Sequence, residues 1–245
     1  FSTVNERIYA IKTNKKWQWL GKLYPAVFTR EKQIIFMSMD KFLTKCIALT
    51  VGVKTIDFFM ISKEEWLGDK KKISQTLEQF DFPVVVKPVC QGSSIGVAMA
   101  TNYKEFEKAC NLAFLFDYKI IVERAIMNKR EFNVVCLKKG SGEFYTKIEE
   151  PVCDDVIISF SDKYLASGSA KKGCQKGRVS VLGLGMEHQI KNEKPDLKTK
   201  DENTLIKNTK LLYDAFDLNG IVRFDYIMDK VTGKIYLGEI NAVPG

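Results

Sequence analysis

Two alternating runs near the end of the chain, Ile221 to Met228 and Lys234 to Asn241, enclose the turn Asp229-Lys230-Val231-Thr232-Gly233. Strand side chains alternate between faces, so two such runs around a short turn read as an antiparallel hairpin. One face carries Val222, Phe224 and Ile240. The other carries Arg223 and Asp225 on the first strand, Glu239 and Asn241 on the second. The turn suggests a register pairing 228 with 236, which sets Asp225 opposite Glu239 and Arg223 opposite Asn241. Two facing carboxylates repel unless a cation lies between them. Asp, Glu and Asn are oxygen ligands, and such a set suits Mg²⁺ bridged to phosphates. The plainer alternative is that Arg223 neutralises both acids on a wet sheet face.

Elsewhere the chain alternates helices and strands without a Rossmann rhythm or an internal repeat. Residues 1–38 mix aromatic and basic residues with no clear period. Met39 to Val51 reads as a helix through Phe42, Leu43, Cys46, Ile47 and Leu49, stopped by Gly52. Ile73 to Phe80 is a second, short helix. Pro83 opens the apolar run Val84-Val85-Val86, read as a buried strand, followed by a polar glycine loop at 91–94 and a strand near Ile95 to Met99. Asn102 is expected to cap a helix to about Ala113, with Glu105 completing a capping box. Ile120-Ile121-Val122, Phe132 to Leu137 and Phe144 to Ile148 are further strands, the last two joined by Gly140-Ser141-Gly142. Residues 151–200 read as mostly irregular, and Asp201 to Phe216 as an amphipathic helix. The pattern predicts an α+β fold with antiparallel sheets.

Composition narrows the function classes. With 245 residues and 45% apolar content, the chain can bury a sizeable core. No apolar run approaches the length that crosses a bilayer, and Phe1 to Arg30 lacks the apolar stretch and cleavage site of a signal peptide. Of the six cysteines, at 46, 90, 110, 136, 153 and 174, none forms a C-x-x-C, and there is one histidine, His188. Zinc is therefore not expected, and Cys46, Cys110 and Cys136 read as buried thiols in a reducing cytoplasm. His188 is expected at the surface with no role. The net charge of +8 comes from dispersed lysines without a nucleic-acid motif, so a nucleic acid is not the expected partner, and a polyphosphate site accounts for part of the excess.

Three further stretches carry chemistry. Val86-Lys87-Pro88 precedes Gln91-Gly92-Ser93-Ser94-Ile95-Gly96. A lysine ending a buried strand is costly to bury unless an anion meets it, and a glycine-rich loop with two serines offers amide and hydroxyl donors to phosphate. An ordinary hairpin with an edge lysine is the even-odds alternative. Glu123 ends the run Ile121-Val122-Glu123, and Glu131 follows eight residues on. Carboxylates only accept, which suits an adenine amino group and ribose hydroxyls. Judged alone, two solvated acids explain this stretch better. Ser161-Asp162-Lys163-Tyr164 lies in the long irregular segment, where Lys163 and Tyr164 either reach over a phosphate or stand exposed.

These pieces, together with Met39-Asp40-Lys41, Lys45, Arg130-Glu131 and Pro244-Gly245, occur in an order that resembles the D-alanine–D-alanine ligase family of the ATP-grasp fold, vancomycin-resistance ligases included. The resemblance covers roughly residues 39–245. It implies two α/β subdomains whose antiparallel sheets sandwich ATP. The small central one spans 39–125 and the large C-terminal one 126–245, expected to be cut short at its end, behind a remnant or divergent segment at 1–38. It implies that Lys45 and Lys87 hold the ATP phosphates and that Ser93 and Ser94 lie in the loop closing on them. Glu123, Arg124, Ala125 and Ile126 would contact adenine, and Glu131 the ribose. Lys163 would touch the γ-phosphate and Tyr164 would help close a loop. Asp225, Glu239 and Asn241 would bind two Mg²⁺ ions, with Mn²⁺ as a substitute, and Arg223 would stabilise the oxyanion. The family's N-terminal acidic-glycine segment has no match at Arg30-Glu31-Lys32-Gln33, and Gly238 replaces a bulkier residue often found beside adenine.

The implied reaction has two steps. A substrate carboxylate attacks the γ-phosphate, giving an acyl phosphate and ADP; an amine then attacks the acyl carbon and phosphate leaves. The expected partners are small molecules, D-alanine or a similar amino acid, with no nucleic acid and no membrane, and any self-association is expected to be a homodimer. The implied setting is cytoplasmic peptidoglycan precursor synthesis. Residues 151–183 are expected to close over the site. A ligase for another amino or hydroxy acid, and a non-catalytic ATP-binding relative, stay open as alternatives.

Overall fold

The structure is a computed structural model that describes residues 38–92, 94–139, 143–152, 191–193 and 195–242. In chain order the elements are α1 (Lys41–Thr50), β1 (Phe58–Ser62), α2 (Lys63–Gly68), α3 (Lys70–Leu77), β2 (Val84–Pro88), β3 (Ala98–Ala100), α4 (Tyr103–Ala113), β4 (Lys119–Arg124), β5 (Lys129–Lys139), β6 (Glu143–Val152), β7 (Lys191–Glu193), α5 (Thr199–Ala215), β8 (Ile221–Asp229) and β9 (Ile235–Asn241). Among the described residues they fall into two compact units, one of residues 38–56, 128–151 and 192–242, the other of residues 57–127 with 152 and 191. The helix expected at Met39 to Val51 thus groups with the later strands rather than with β2 and β4.

The first unit holds a five-stranded sheet in the order β7-β6-β5-β8-β9. The pairs β6–β5, β5–β8 and β8–β9 are antiparallel. Even-numbered residues of β5 and β8 form one face: Phe132, Val134, Cys136, Val222, Phe224 and Tyr226 are all buried. They share a core with Leu205, Leu212 and Tyr213 of α5 and Ile47 and Ala48 of α1. Each large side chain so buried contributes about 1.5–3 kcal/mol. The helices cover that face and leave the odd-numbered positions for the polar groups. Asp40 starts α1 by accepting the Leu43 amide at 2.8 Å, which fixes the end of the helix that carries Lys45.

The second unit holds a four-stranded sheet in the order β1-β4-β2-β3, antiparallel in every pairing. Val84, Val86, Ile120 and Val122 face a core shared with Phe106, Ala109 and Cys110 of α4. Asn102 caps α4 as the sequence predicts, its Oδ1 accepting the Glu105 amide at 3.0 Å. Glu105 reaches back to Thr101, accepting its amide at 2.9 Å and its hydroxyl at 2.8 Å.

Several expectations need correction. The second helix runs Lys70–Leu77 rather than from Ile73, because Asp69 caps it by accepting the Lys72 amide. Strand β3 begins at Ala98 rather than near Ile95, because Ser94 to Val97 close a turn, the Val97 amide donating to the Ser94 carbonyl at 3.2 Å. Lys191–Glu193 is an edge strand within the stretch read as irregular. β1 and α2 were not anticipated, although Ser62 and Glu65 form a reciprocal capping box. Cys46, Cys110 and Cys136 are buried, as expected. No helix among the described residues is long and apolar enough to cross a membrane.

Candidate functional site

In the first unit the site is built on β8 and β9. Arg223 pairs with Asn241 and Asp225 with Glu239, the pairs that the alternation predicts. The expected pairing of 228 with 236 is wrong: Met228 pairs with Ile235, Ile227 with Tyr236 and Tyr226 with Leu237, and the register shifts between Asp225 and Tyr226. The buried positions of β9 are Ile235, Leu237 and Ile240, a phase break centred on Gly238. Without that extra residue, Glu239 would continue the phase of Ile235 and Leu237 and point into the core. The bulge turns Glu239 and Asn241 onto the face of Asp225. A Cβ on Gly238 would lie 3.0 Å from the Asp225 carbonyl oxygen, so the bulge and the absence of a side chain go together.

On that face Arg223 grips Asp225 as a fork, Nε donating to Oδ1 at 2.8 Å and an Nη donating to Oδ2 at 3.1 Å. Asn241 Nδ2 donates to Asp225 Oδ2 at 2.9 Å. Burial pushes the Asp225 carboxyl above the ordinary aspartate range, against the pull of Arg223 and Asn241; the Glu239 charge adds to the rise. The Arg223 guanidinium is held more firmly charged than usual, first by its bond to Asp225. Arg223 therefore does neutralise Asp225, the plainer of the two sequence readings for that residue. Among the described residues the Glu239 carboxylate has no hydrogen-bond partner. The donor set fits a hard divalent cation: Glu239 offers carboxylate oxygens, and Asn241, with its Nδ2 turned to Asp225, keeps its carbonyl oxygen for a metal. No three His, Cys, Asp or Glu side chains converge among the described residues, so a Mg²⁺ ion there would draw its other oxygens from phosphate and water.

The sheet extends this face with polar groups that the sequence reading missed. Asn133 of β5 pairs with Asp225 on one side and with Glu149 of β6 on the other. Glu149, Asn133, Asp225 and Glu239 thus form one row across four strands. A lone polar residue between Phe132 and Val134 was the signal for Asn133. Glu131 pairs with Ile227, which puts it on the same face, and its carboxylate is ion-paired with Lys129. Lys45 lies on α1 with only 1% of its surface exposed, so its charge must be compensated where it sits.

In the second unit Lys87 and Glu123 lie on adjacent strands, and Lys87 Nζ donates to Glu123 Oε2 at 2.8 Å. Lys87 pairs with Ile121 and Glu123 with Val85, so all four share the sheet face away from the α4 core. Glu123 is 3% exposed and Lys87 partly so. An ammonium has three donors, so Lys87 can keep Glu123 and still meet an anion. Arg124 lies on the opposite face, its guanidinium 3.2 Å from Asp81 and over the Phe80 ring. The Arg124 amide donates to the Asp57 carbonyl and the Ala125 amide to the Pro83 carbonyl. The expected adenine contacts of Arg124 and Ala125 therefore cannot use these N–H groups, and Ile126 has the next amide along the chain. Ser94 is exposed at φ 57° in the glycine loop. Ser93, Lys163, Tyr164, His188, Pro244 and Gly245 lie outside the described residues, as does the 151–183 segment beyond Val152.

Comparison with known proteins follows the same outline. The family model described as D-ala D-ala ligase C-terminus matches residues 47–179. The chain is 32% identical over 209 residues to a D-alanine–D-alanine ligase of Sulfurovum sp., covering 85% of this chain and 51% of that protein. It is 30% identical over 209 residues to a D-alanine–D-alanine ligase of Caldicellulosiruptor bescii, covering 84% and 51%. The crystal structure of the Helicobacter pylori D-alanine–D-alanine ligase matches with a TM-score of 0.60 at 26% identity, covering 85% of this chain and 52% of that one. The chain spans about half the length of the curated relatives it matches.

Proposed function

The chain belongs to the D-alanine–D-alanine ligase family, matched through the C-terminal domain, and from that premise we propose that it is the ATP-binding, catalytic portion of a ligase joining D-alanine to D-alanine. Its fold is the ATP-grasp fold of those ligases. The observation that carries the reading is the Asp225–Glu239 pair, turned onto one face by the Gly238 bulge and flanked by Arg223 and Asn241. Such a set has little use on a sheet face unless cations and phosphate oxygens visit it.

In this reading Lys45 and Lys87 hold the ATP phosphates, Glu123 and the chain to Ile126 meet the adenine, and Glu131 takes the ribose. Asp225, Glu239 and Asn241 hold Mg²⁺, which when bound neutralises phosphate charge and fixes in-line geometry. Arg223, anchored by Asp225, presents its positive edge to the oxygen that becomes negative when the amine attacks the acyl carbon. Ser93, Ser94, Lys163 and Tyr164 complete the set by resemblance. No side chain forms a covalent bond to substrate; position and charge do the work. The setting is cytoplasmic peptidoglycan precursor synthesis, consistent with the buried free thiols. The experiment is phosphate release by the chain given ATP and Mg²⁺. Release that rises with D-alanine supports the ligase reading; release that ignores D-alanine, or none at all, rejects it.

A further inference from the structure

The glycine loop after β2 is gripped from outside at both ends by one short turn, Phe114 to Tyr118, between α4 and β4. At the entry, the Asp117 carboxylate accepts the Cys90 amide at 2.7 Å through Oδ2 and the Lys119 amide at 3.3 Å through Oδ1. The Val89 amide donates to the Lys119 carbonyl at 3.0 Å, so the β2–β4 ladder runs up to the point where Asp117 takes over. The Gln91 side chain donates to the Phe116 carbonyl at 3.1 Å. At the exit, Gly96 is buried with φ 69°, and a Cβ there would lie 2.8 Å from both the Phe116 ring and Pro88. Among the described residues of the loop, the Ile95 amide donates to the Gly92 carbonyl at 3.1 Å. The Phe114 to Tyr118 turn thus meets the loop at both ends, and the one charged side chain of that turn is Asp117.

We propose that Asp117 is a positioning residue for the phosphate-binding loop. It bonds the loop's first amide to the strand edge three residues beyond Lys87, so that loop amides and the Lys87 ammonium are held in a fixed relation. A carboxylate suits this task because its two oxygens can take two amides at once, in charge-assisted bonds stronger than neutral ones. Asparagine keeps one acceptor and loses the charge; alanine loses both. The inference rests on the nucleotide reading above, since it assigns the loop to phosphate.

The test compares the parent chain with Asp117→Ala, Asp117→Asn and Gly96→Ala. ATP and adenosine affinities are measured by calorimetry, and hydrogen exchange is followed across residues 90–97. Asp117→Ala should bind ATP about tenfold more weakly, bind adenosine as the parent does, and exchange faster at 90–97 with α4 unchanged. Asp117→Asn should fall between the two, and Gly96→Ala should reproduce the split from the other end. A fault of folding alone would lower ATP and adenosine binding together. If the parent binds ATP and Asp117→Ala binds it equally well, or if adenosine is lost in step with ATP, the positioning role is wrong and the nucleotide reading stands. If the parent binds no ATP, both fall.

Discussion

Replacing Arg223 by methionine keeps most of the stem's apolar bulk and removes the fork that holds Asp225. Two charge-assisted hydrogen bonds are lost, at 2.8 and 3.1 Å, from side chains 32% and 25% exposed. Such a bond contributes about 1.5–3 kcal/mol when buried, and the partial exposure argues for about 2 kcal/mol for the pair of bonds. Asp225 then faces Glu239 with no cation beside it. Opposed carboxylates about 5 Å apart at an effective dielectric near 20 repel by roughly 3 kcal/mol, an upper bound, because Asp225 can take up a proton instead. An acid whose folded-state pKa lies above its unfolded value favours folding below the unfolded value and loses that favour as the pH rises through the folded one. Asp225 is already such a group, and removing Arg223 raises it further. The deficit should therefore deepen from about pH 4 towards neutrality. Thermal unfolding in EDTA at pH 7 should show a fall of roughly 4–8 °C, smaller in acid and partly recovered by Mg²⁺, which binds only the folded pair. A variant melting within about 1 °C of the parent, or with the same deficit in acid, means that Arg223 is not what holds the two acids together.

Gly238→Ala should destabilise the β8–β9 hairpin by about 1–3 kcal/mol, since the new Cβ would meet the Asp225 carbonyl at 3.0 Å; an unchanged denaturation midpoint would show that the bulge relaxes freely. Glu150→Gln removes one side of the Arg130 fork, with bonds of 2.8 and 2.6 Å. Arg130 holds the Glu150 carboxyl below the usual range, so its contribution is present above the unfolded value and lost as pH falls through the folded one. Denaturant titrations should show a gap of about 1–2 kcal/mol at pH 7 that closes in acid; a pH-independent gap would assign the effect to packing.

The sequence made the hairpin and its acid pair legible because alternation is a local signal and the polar residues interrupt it on one side only. It misled about the register near the turn, because pairing 228 with 236 treats β9 as unbroken. The phase break was present in the text, with Ile235 and Leu237 at odd positions and Ile240 at an even one, and Gly238 marks it. The strands around Val84-Val85-Val86 and Ile120-Ile121-Val122 were legible as apolar runs, but their pairing was not, since sheet order depends on contacts distant in sequence. That order is what brings Lys87 to Glu123. β1 was missed because its burial is uneven, with only Ile61 fully buried. The backbone engagement of Arg124 and Ala125 had no signal at all, since it depends on where Asp57 and Pro83 arrive. Asp117 carries no signal in the sequence, because a carboxylate bound to two amides looks there like any turn aspartate.

The measurement that matters most is calorimetric titration of the chain with ATP, once with Mg²⁺ and once with EDTA, alongside Glu239→Gln. The Asp225, Glu239 and Asn241 oxygens should make ATP binding markedly tighter with Mg²⁺, and Glu239→Gln should erase most of that difference while melting like the parent. Equal affinity in Mg²⁺ and EDTA, or a Mg²⁺ effect untouched by Glu239→Gln, would leave the facing carboxylates without the metal-binding role assigned to them.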